Sequence, residues 1–298
     1  MIERKMLNIA IGIPAFNEEK LIASIIMRLK KKYEIIIVCD DGSSDLTGSI
    51  ASKLGAIVIT HEKNLGYGGT IRSIFLKARE LKVDVLVTFD ADGQHRIEDI
   101  DSVLKPIIEN KADISIGSRF LQNDSDIPKY RAVGIKTITG LTNVSTGLKI
   151  SDSQSGFRAY NNKILEKINP SDFGMGISTE ILIKSKKMNF RIIEVPIVVL
   201  YEGDTSTHNP VTHGTSVIFS TMKYVSIERP LSFYGIPGII LFSIGIFFTV
   251  WTLNIFSDSG KIITNIALIG IGGLILGTLC LMTAIILYST VSVIRERN

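Results

Sequence analysis

The chain is short of several things, and each shortage removes a class of protein. It has two cysteines in 298 residues. Cys39 ends one apolar run and Cys280 lies in another far along the chain, so no disulfide framework and no cysteine-based metal site is expected. A net charge of only +4, with no basic stripe and interleaved aromatics, argues against nucleic acid as a partner. The N-terminus lacks a small-residue cleavage site, and Pro14 breaks its apolar run, so it reads as a first strand and not a signal peptide. Disorder is excluded by a 45% hydrophobic content. Charge is scarcest at the far end: after residue 230 only Asp258, Lys261, Arg295, Glu296 and Arg297 carry it.

That deficit marks two stretches, 231–253 and 262–288, each long enough to cross the ~30 Å hydrocarbon layer for which ~20 apolar residues suffice. Lys223, Arg229, Arg295 and Arg297 flank them, whereas the joining loop, 254–261, holds one Lys and one Asp. The positive-inside bias predicts a multi-pass protein of the cell membrane with its body and C-terminus in the cytoplasm. Gly270, Gly272, Gly273 and Gly277 predict close helix packing, with a homo-oligomer through these helices as one expectation. The stretch 215–230 reads as an amphipathic helix beside the membrane, either lying in the interface or an ordinary amphipathic surface helix.

The first 214 residues form the body. Apolar runs at 7–13, 34–39, 56–60, 83–89 and 112–117 are interleaved with helical patterns at 18–31, 44–54, 67–80 and 97–110. Asn17 is the expected cap of the first helix, and Ser43 or Ser44 of the second. Uninterrupted apolar runs joined by helices predict a mostly parallel, doubly wound α/β sheet. Later come a polar loop at 121–129, helices at 134–146 and 177–188, and strands at 156–160 and 191–200. Pro196 puts the last strand at an edge or a bulge.

Ligands of such sheets bind outside the carboxyl ends of the strands, and the polar clusters fall there. Pro14-Ala15-Phe16-Asn17-Glu18-Glu19 follows the first strand, and Asp40-Asp41-Gly42-Ser43-Ser44-Asp45 the second. Asn64-Leu65-Gly66-Tyr67-Gly68-Gly69 follows the third, Asp90-Ala91-Asp92-Gly93-Gln94-His95 the fourth, and Gly117-Ser118-Arg119 the fifth. Asp90 and Asp92 crowd two like charges that a divalent cation would relieve; hard oxygen ligands indicate Mg²⁺ or Mn²⁺. Gln94 offers a neutral oxygen, and His95 a nitrogen less suited to Mg²⁺. One of Asp40 and Asp41 is placed to accept hydrogen bonds from a base or ribose, and the other to cap a helix. Neither a Walker element nor a dinucleotide fingerprint occurs.

These motifs, in this order, resemble family 2 glycosyltransferases of the GT-A fold, and among them the dolichyl-phosphate mannose synthase group of polyprenyl-phosphate glycosyltransferases. The resemblance covers about residues 7–200, with Ser155-Gly156-Phe157-Arg158-Ala159 and Glu194-Val195-Pro196-Ile197 as later landmarks. It implies that Pro14, Ala15, Phe16, Glu18 and Asp41 line a nucleotide pocket with Asp40 beside it. Asp90, Ala91, Asp92 and Gln94 would serve the metal and the donor diphosphate. It further implies Arg119 near a phosphate, Asp152, Gln154 and Arg158 beside the sugar, and Glu180 where related enzymes place a carboxylate base. Lys129, Arg131 and Lys136 are candidates for an acceptor phosphate. After Ile197 the chain departs from the mannose synthase pattern, and His208 is a further cation candidate there.

The expected activity is metal-dependent, inverting transfer of a sugar from a nucleotide sugar (GDP-mannose, UDP-glucose or UDP-GlcNAc type) to polyprenyl or dolichyl phosphate at the cytoplasmic membrane face. A phosphate acceptor is already anionic and needs no base. Transfer to a sugar hydroxyl of a glycolipid or polysaccharide, which needs one, is the alternative. A noncatalytic nucleotide-sugar-binding membrane scaffold is the alternative of another class.

Overall fold

Short runs dense in Ile and Val, each bounded by turn residues, become the strands of one seven-stranded sheet. The structure, a computed structural model, describes residues 7–122, 127–199 and 230–296, with positions 222, 226 and 227. β1 (Ile9–Ala15), β2 (Ile35–Asp40), β3 (Ile57–Thr60) and β4 (Val85–Thr88) are parallel, in the order β3-β2-β1-β4. Beyond β4 lie β6 (Arg158–Asn161), antiparallel to both its neighbours, then β5 (Ile114–Ser118), and finally β7 (Ile192–Pro196) parallel to β5. Pro196 therefore ends an edge strand, where a missing N–H is tolerated. The reversal of β6 brings its first residue, Arg158, level with Thr88 at the carboxyl end of β4.

Both faces of the sheet are covered, which is why its strands do not alternate apolar with polar. On one side Ile11, Ile13 and Val87 pack with α1 (Glu19–Leu29), α2 (Thr47–Lys53) and α4 (Ile100–Ile108). On the other, Ala10, Ile37 and Leu86 pack with α3 (Tyr67–Glu80), α6 (Asn162–Lys167) and α7 (Ile177–Lys187). Ile22, Ile26, Ile74 and Phe75 are fully buried, and each such side chain contributes ~1.5–3 kcal/mol of transfer free energy. α5 (Lys129–Thr146) starts earlier than its sequence pattern indicates, directly after Pro128. The helix read at 97–110 opens with a 3₁₀ turn, Ile97–Asp99.

Neither expected N-cap forms. Asn17 has φ 55 and precedes the cap, Glu18, and α2 is preceded by Leu46. The two loops satisfy each other's helix starts instead. Asn17, Glu18 and Glu19 donate their N–H groups to Ser43, Thr47 and Asp45, while Ser44 and Leu46 donate theirs to Asn17 and Glu19. Such reciprocal capping ties the ends of β1 and β2 together, and sequence spacing does not reveal it.

The chain divides into two compact units, Met1–Thr221 and Met222–Asn298. In the second, a π-helical turn, Leu231–Gly235, runs into helix Ile236–Ser259 to make one apolar stretch of 29 residues, Leu231–Ser259, and helix Thr264–Glu296 holds another of 30, Thr264–Val293. Both are long enough to cross a membrane, and little of either is buried. The first runs six residues past its expected end, so the joining turn is only 260–263, opened by Gly260 in the left-handed region (φ 66). Glycines let the pair approach closely. Gly245 lies against Gly273 and Leu274, Gly238 against Cys280 and Leu281, Gly270 against Thr249, and Gly277 against Phe242. Three of the four glycines of the second span are thus used inside the hairpin, and Gly272 faces open space. The loop 201–214 with His208, and most of the amphipathic stretch 215–230, lie outside the described residues.

Candidate active site

Pro14 and Ala15 are buried at the end of β1, and Phe16 and Glu18 are half-buried beyond them. Asp40 ends β2 and Asp41 follows it, at 5% and 3% exposure. Their carboxylates have different work. Asp40 accepts from Ser43 N at 3.0 Å, closing its own turn. Asp41 lies 2.6 Å from His61 Nδ1 and accepts from Leu65 N (2.9 Å) and Gly66 N (2.8 Å). His61 Nε2 in turn lies 2.8 Å from Ser73 Oγ. Asp41, which the resemblance puts in the nucleotide pocket, is thereby an anchor for the loop after β3, and Asp40 packs its other oxygen against Gly48. Burial pushes the Cys39 thiol up to about 12, with Asp41 adding to the shift, so it is no nucleophile at neutral pH.

The fourth cluster gathers most of the remaining polar groups. Asp92 is held above its ordinary value by burial and then by the charge of Asp90; His95 and Arg131 oppose the shift. Glu18 is raised to about 7 by burial, then by Asp92 and Asp45. Asp90 is 23% exposed and has two close partners, Tyr67 Oη at 3.3 Å and His95 Nε2 at 3.2 Å. Gln94 donates its N–H to Asp92 Oδ1 at 3.0 Å, and Ala91 between the acids is buried. These carboxylates repel one another across a partly dry space, which is the electrostatic condition for cation binding. Among the described residues no group of three or more His, Cys, Asp or Glu forms a complete metal cage. The Asp90 and Asp92 carboxylates are the oxygen donors a hard divalent ion takes, its remaining ligands coming from phosphate and water, and Gln94 is tied to the pair through its backbone N–H.

Arg119 grips Asp152 with two bonds, Nε–Oδ2 at 2.6 Å and Nη2–Oδ1 at 2.8 Å. Burial alone would raise Asp152, but the Arg119 charge and its hydrogen bonds outweigh it and hold the carboxyl low. Behind them Glu194 accepts from Ser151 N, Ser151 Oγ and Asp152 N. Gln154 donates to Ser153 Oγ and Thr179 Oγ1. Lys136 Nζ sits 5.4 Å from the centre of the Phe120 ring. On the same helix the Arg131 charge opposes the upward shift of Asp92.

Two further residues lie elsewhere than the resemblance implies. Arg158 is 1% exposed and donates to the carbonyls of Ser153, Ser155 and Ser178, a brace for the turn before β6 and not a sugar contact. Glu180 is fully buried. Its carboxylate accepts from Ser171 N, Ser171 Oγ and Asp172 N and pairs with Lys184 at 2.6 Å. Burial opposes ionisation, yet Lys184, Ser171 and Asp172 together hold the group below its ordinary value. A carboxylate with its lone pairs so engaged is a loop anchor and neither a poised base nor a solvated helix residue.

Residues 10–169, more than half of the chain, match the family described as Glycosyl transferase family 2. The chain belongs to that family. Among its relatives are the UDP-N-acetylglucosamine–dolichyl-phosphate N-acetylglucosaminyltransferase of Methanococcus voltae, 35% identical over 69% of this chain and 89% of its own, and the dolichyl-phosphate hexose transferase of Haloferax volcanii, 28% identical over 77% and 99%. The glucosyl-3-phosphoglycerate synthase of Mycobacterium tuberculosis, crystallised with Mn²⁺, UDP-glucose and phosphoglyceric acid, shares the fold at a TM-score of 0.59. It is 18% identical, with 74% of this chain and 80% of that one covered. The sheet with its flanking helices is the GT-A arrangement of this enzyme family. Sequence reasoning about this glycosyltransferase missed Tyr67, whose signal was its place at the start of a helix inside a strand-end motif. Glu194 stood in a landmark motif without a role and His61 gave no signal, because only the fold brings them to Asp152 and Asp41.

Proposed function

We propose that the enzyme transfers a sugar from a nucleotide sugar to a polyprenyl phosphate of the dolichyl type at the cytoplasmic face of a membrane, with inversion. The state of Glu180 carries the choice of acceptor. A hydroxyl acceptor needs a base, whereas a phosphate monoester brings an oxygen that is already anionic. A buried Glu180 with every neighbour donating to it favours the second. The names of the relatives from Methanococcus voltae and Haloferax volcanii accord with this reading, as do two apolar helices that would hold the site beside a lipid.

In this reading Asp40, Pro14, Ala15, Phe16 and Glu18 receive the nucleoside. Asp90, Asp92 and Gln94 hold Mg²⁺ or Mn²⁺, which when bound neutralises the leaving diphosphate. The acceptor oxygen attacks the anomeric carbon opposite the diphosphate; the new C–O bond forms as the old one breaks, and the nucleoside diphosphate departs with the electron pair. Arg131, with Lys129 and Lys136 on the same helix, steers the acceptor phosphate. Arg119 and Asp152 form the wall beside the sugar, with Gln154 next to them. Purified full-length protein, labelled nucleotide sugars and dolichyl phosphate test the proposal. Formation of a lipid-linked sugar supports it, and exclusive transfer to carbohydrate hydroxyls would replace it with the alternative.

A further inference from the structure

We propose that Tyr67 is a positioning residue that holds Asp90 in the orientation a metal ion requires, with His95 as its counterpart on the other carboxylate oxygen. The inference rests on reading Asp90 and Asp92 as metal ligands. Tyr67 Oη donates to Asp90 Oδ1 and His95 Nε2 lies against Oδ2, at 3.3 and 3.2 Å, from two different elements. A carboxylate gripped at both oxygens cannot rotate away from its like-charged neighbour, and each oxygen keeps a lone pair for a ligand. Removing a group that hydrogen-bonds a metal-ligating side chain typically lowers metal affinity ~10–100-fold.

Both partners are committed to the task. A phenol ordinarily loses its proton only at pH ~10, so Tyr67 is a donor at neutral pH. His95 is packed against Phe89 and Phe157, with ring centroids 6.0 and 5.1 Å away. Its Nδ1 is buried without a partner among the described residues. The tautomer protonated at Nε2 satisfies Asp90 and leaves Nδ1 as an unpaired acceptor, a smaller penalty than an unpaired N–H.

Tyr67 is itself delivered by its backbone. Gly66, at φ 86, makes the turn into α3, its N–H bound to Asp41 Oδ2 at 2.8 Å. Gly68 N then donates to Phe173 O at 3.0 Å. Gly156 closes the arrangement from above: a Cβ there would overlap the Tyr67 hydroxyl and come within 2.8 Å of Asp90 Oδ2. The sequence positions 66, 67 and 156 thus serve one carboxylate.

The test measures Mn²⁺ binding by electron paramagnetic resonance on the full-length protein in detergent, with UDP or GDP present. Tyr67→Phe, Gly156→Ala, their double variant and Asp92→Asn are compared with the parent. Tyr67→Phe is expected to weaken Mn²⁺ binding about tenfold or more, to raise the metal concentration for half-maximal turnover likewise, and to restore most of kcat at saturating metal. Gly156→Ala is expected to weaken it too, and the double variant less than additively. Parent-like Mn²⁺ affinity in Tyr67→Phe, with Asp92→Asn unable to bind, would overturn the role of Tyr67 alone. A parent that binds no Mn²⁺ with either nucleotide would overturn the metal reading itself, and this proposal with it.

Discussion

Glu180→Gln keeps the shape of the side chain and removes its charge. In the parent the carboxylate takes Ser171 N, Ser171 Oγ and Asp172 N at 2.6–3.0 Å and pairs with Lys184. An amide offers one accepting oxygen, so its NH₂ must face a backbone N–H that then loses its acceptor. Hydrogen bonds to a buried charge contribute ~1.5–3 kcal/mol each, and breaking a buried pair costs ~3–5 kcal/mol. Lys184 is one-third exposed, which places the loss nearer ~2–4 kcal/mol. For a unit of this size that lowers the melting temperature by ~4–16 °C. Because the folded pKa is depressed, the stabilisation is present above the ordinary carboxylate value and lost as pH falls through the folded one. The gap between parent and variant should therefore close below about pH 4. Thermal melts across pH, with turnover at 25 °C, provide the assay, and kcat should fall less than the ~10²–10⁴-fold lost with a general base. An unchanged melting temperature with kcat reduced that far would refute the reasoning.

Arg119→Ala strands a buried carboxylate on Asp152, and thermal melts should show ~3–5 kcal/mol of destabilisation, a loss that Asp152→Asn in the same chain partly relieves. Glu18 sits at about 7 instead of 4.5, so folding stability declines as pH rises through that window while the unfolded chain gives up its proton and the folded one keeps it. Since the group is half exposed, Glu18→Gln should stabilise the metal-free protein by only ~1–2 kcal/mol at pH 8 and by nothing near pH 4. Urea titrations in EDTA at the two pH values check this, and a pH-independent difference would contradict it.

The sheet was legible because its strands are buried on both faces, and an apolar run such as 34–39 has few alternatives to a core strand. The acidic pair Asp90 and Asp92 was legible because turn chemistry does not require two carboxylates there. What stayed hidden was the division of labour among equally polar residues. Nothing local separates Asp40 from Asp41, yet one holds its own turn and the other holds a loop twenty residues away. The antiparallel β6 was equally silent, since pairing direction is set by the path of the chain and not by composition. Glu180 and Arg158 read as chemistry because charged residues seldom lie wholly in a core. Here each is paid for by a full set of partners, which only the three-dimensional arrangement supplies.

The proposed transfer of a sugar to a lipid phosphate, aided by a divalent cation at Asp90 and Asp92, is tested most directly by product formation. Full-length protein is incubated with radiolabelled UDP- and GDP-sugars and dolichyl phosphate, with Mn²⁺ or with EDTA, and the organic phase is counted. Lipid-linked product is expected from at least one donor with Mn²⁺, none with EDTA, and none from Asp92→Asn. Undiminished lipid-linked product in EDTA or from Asp92→Asn, or none from any donor with metal present, would contradict it.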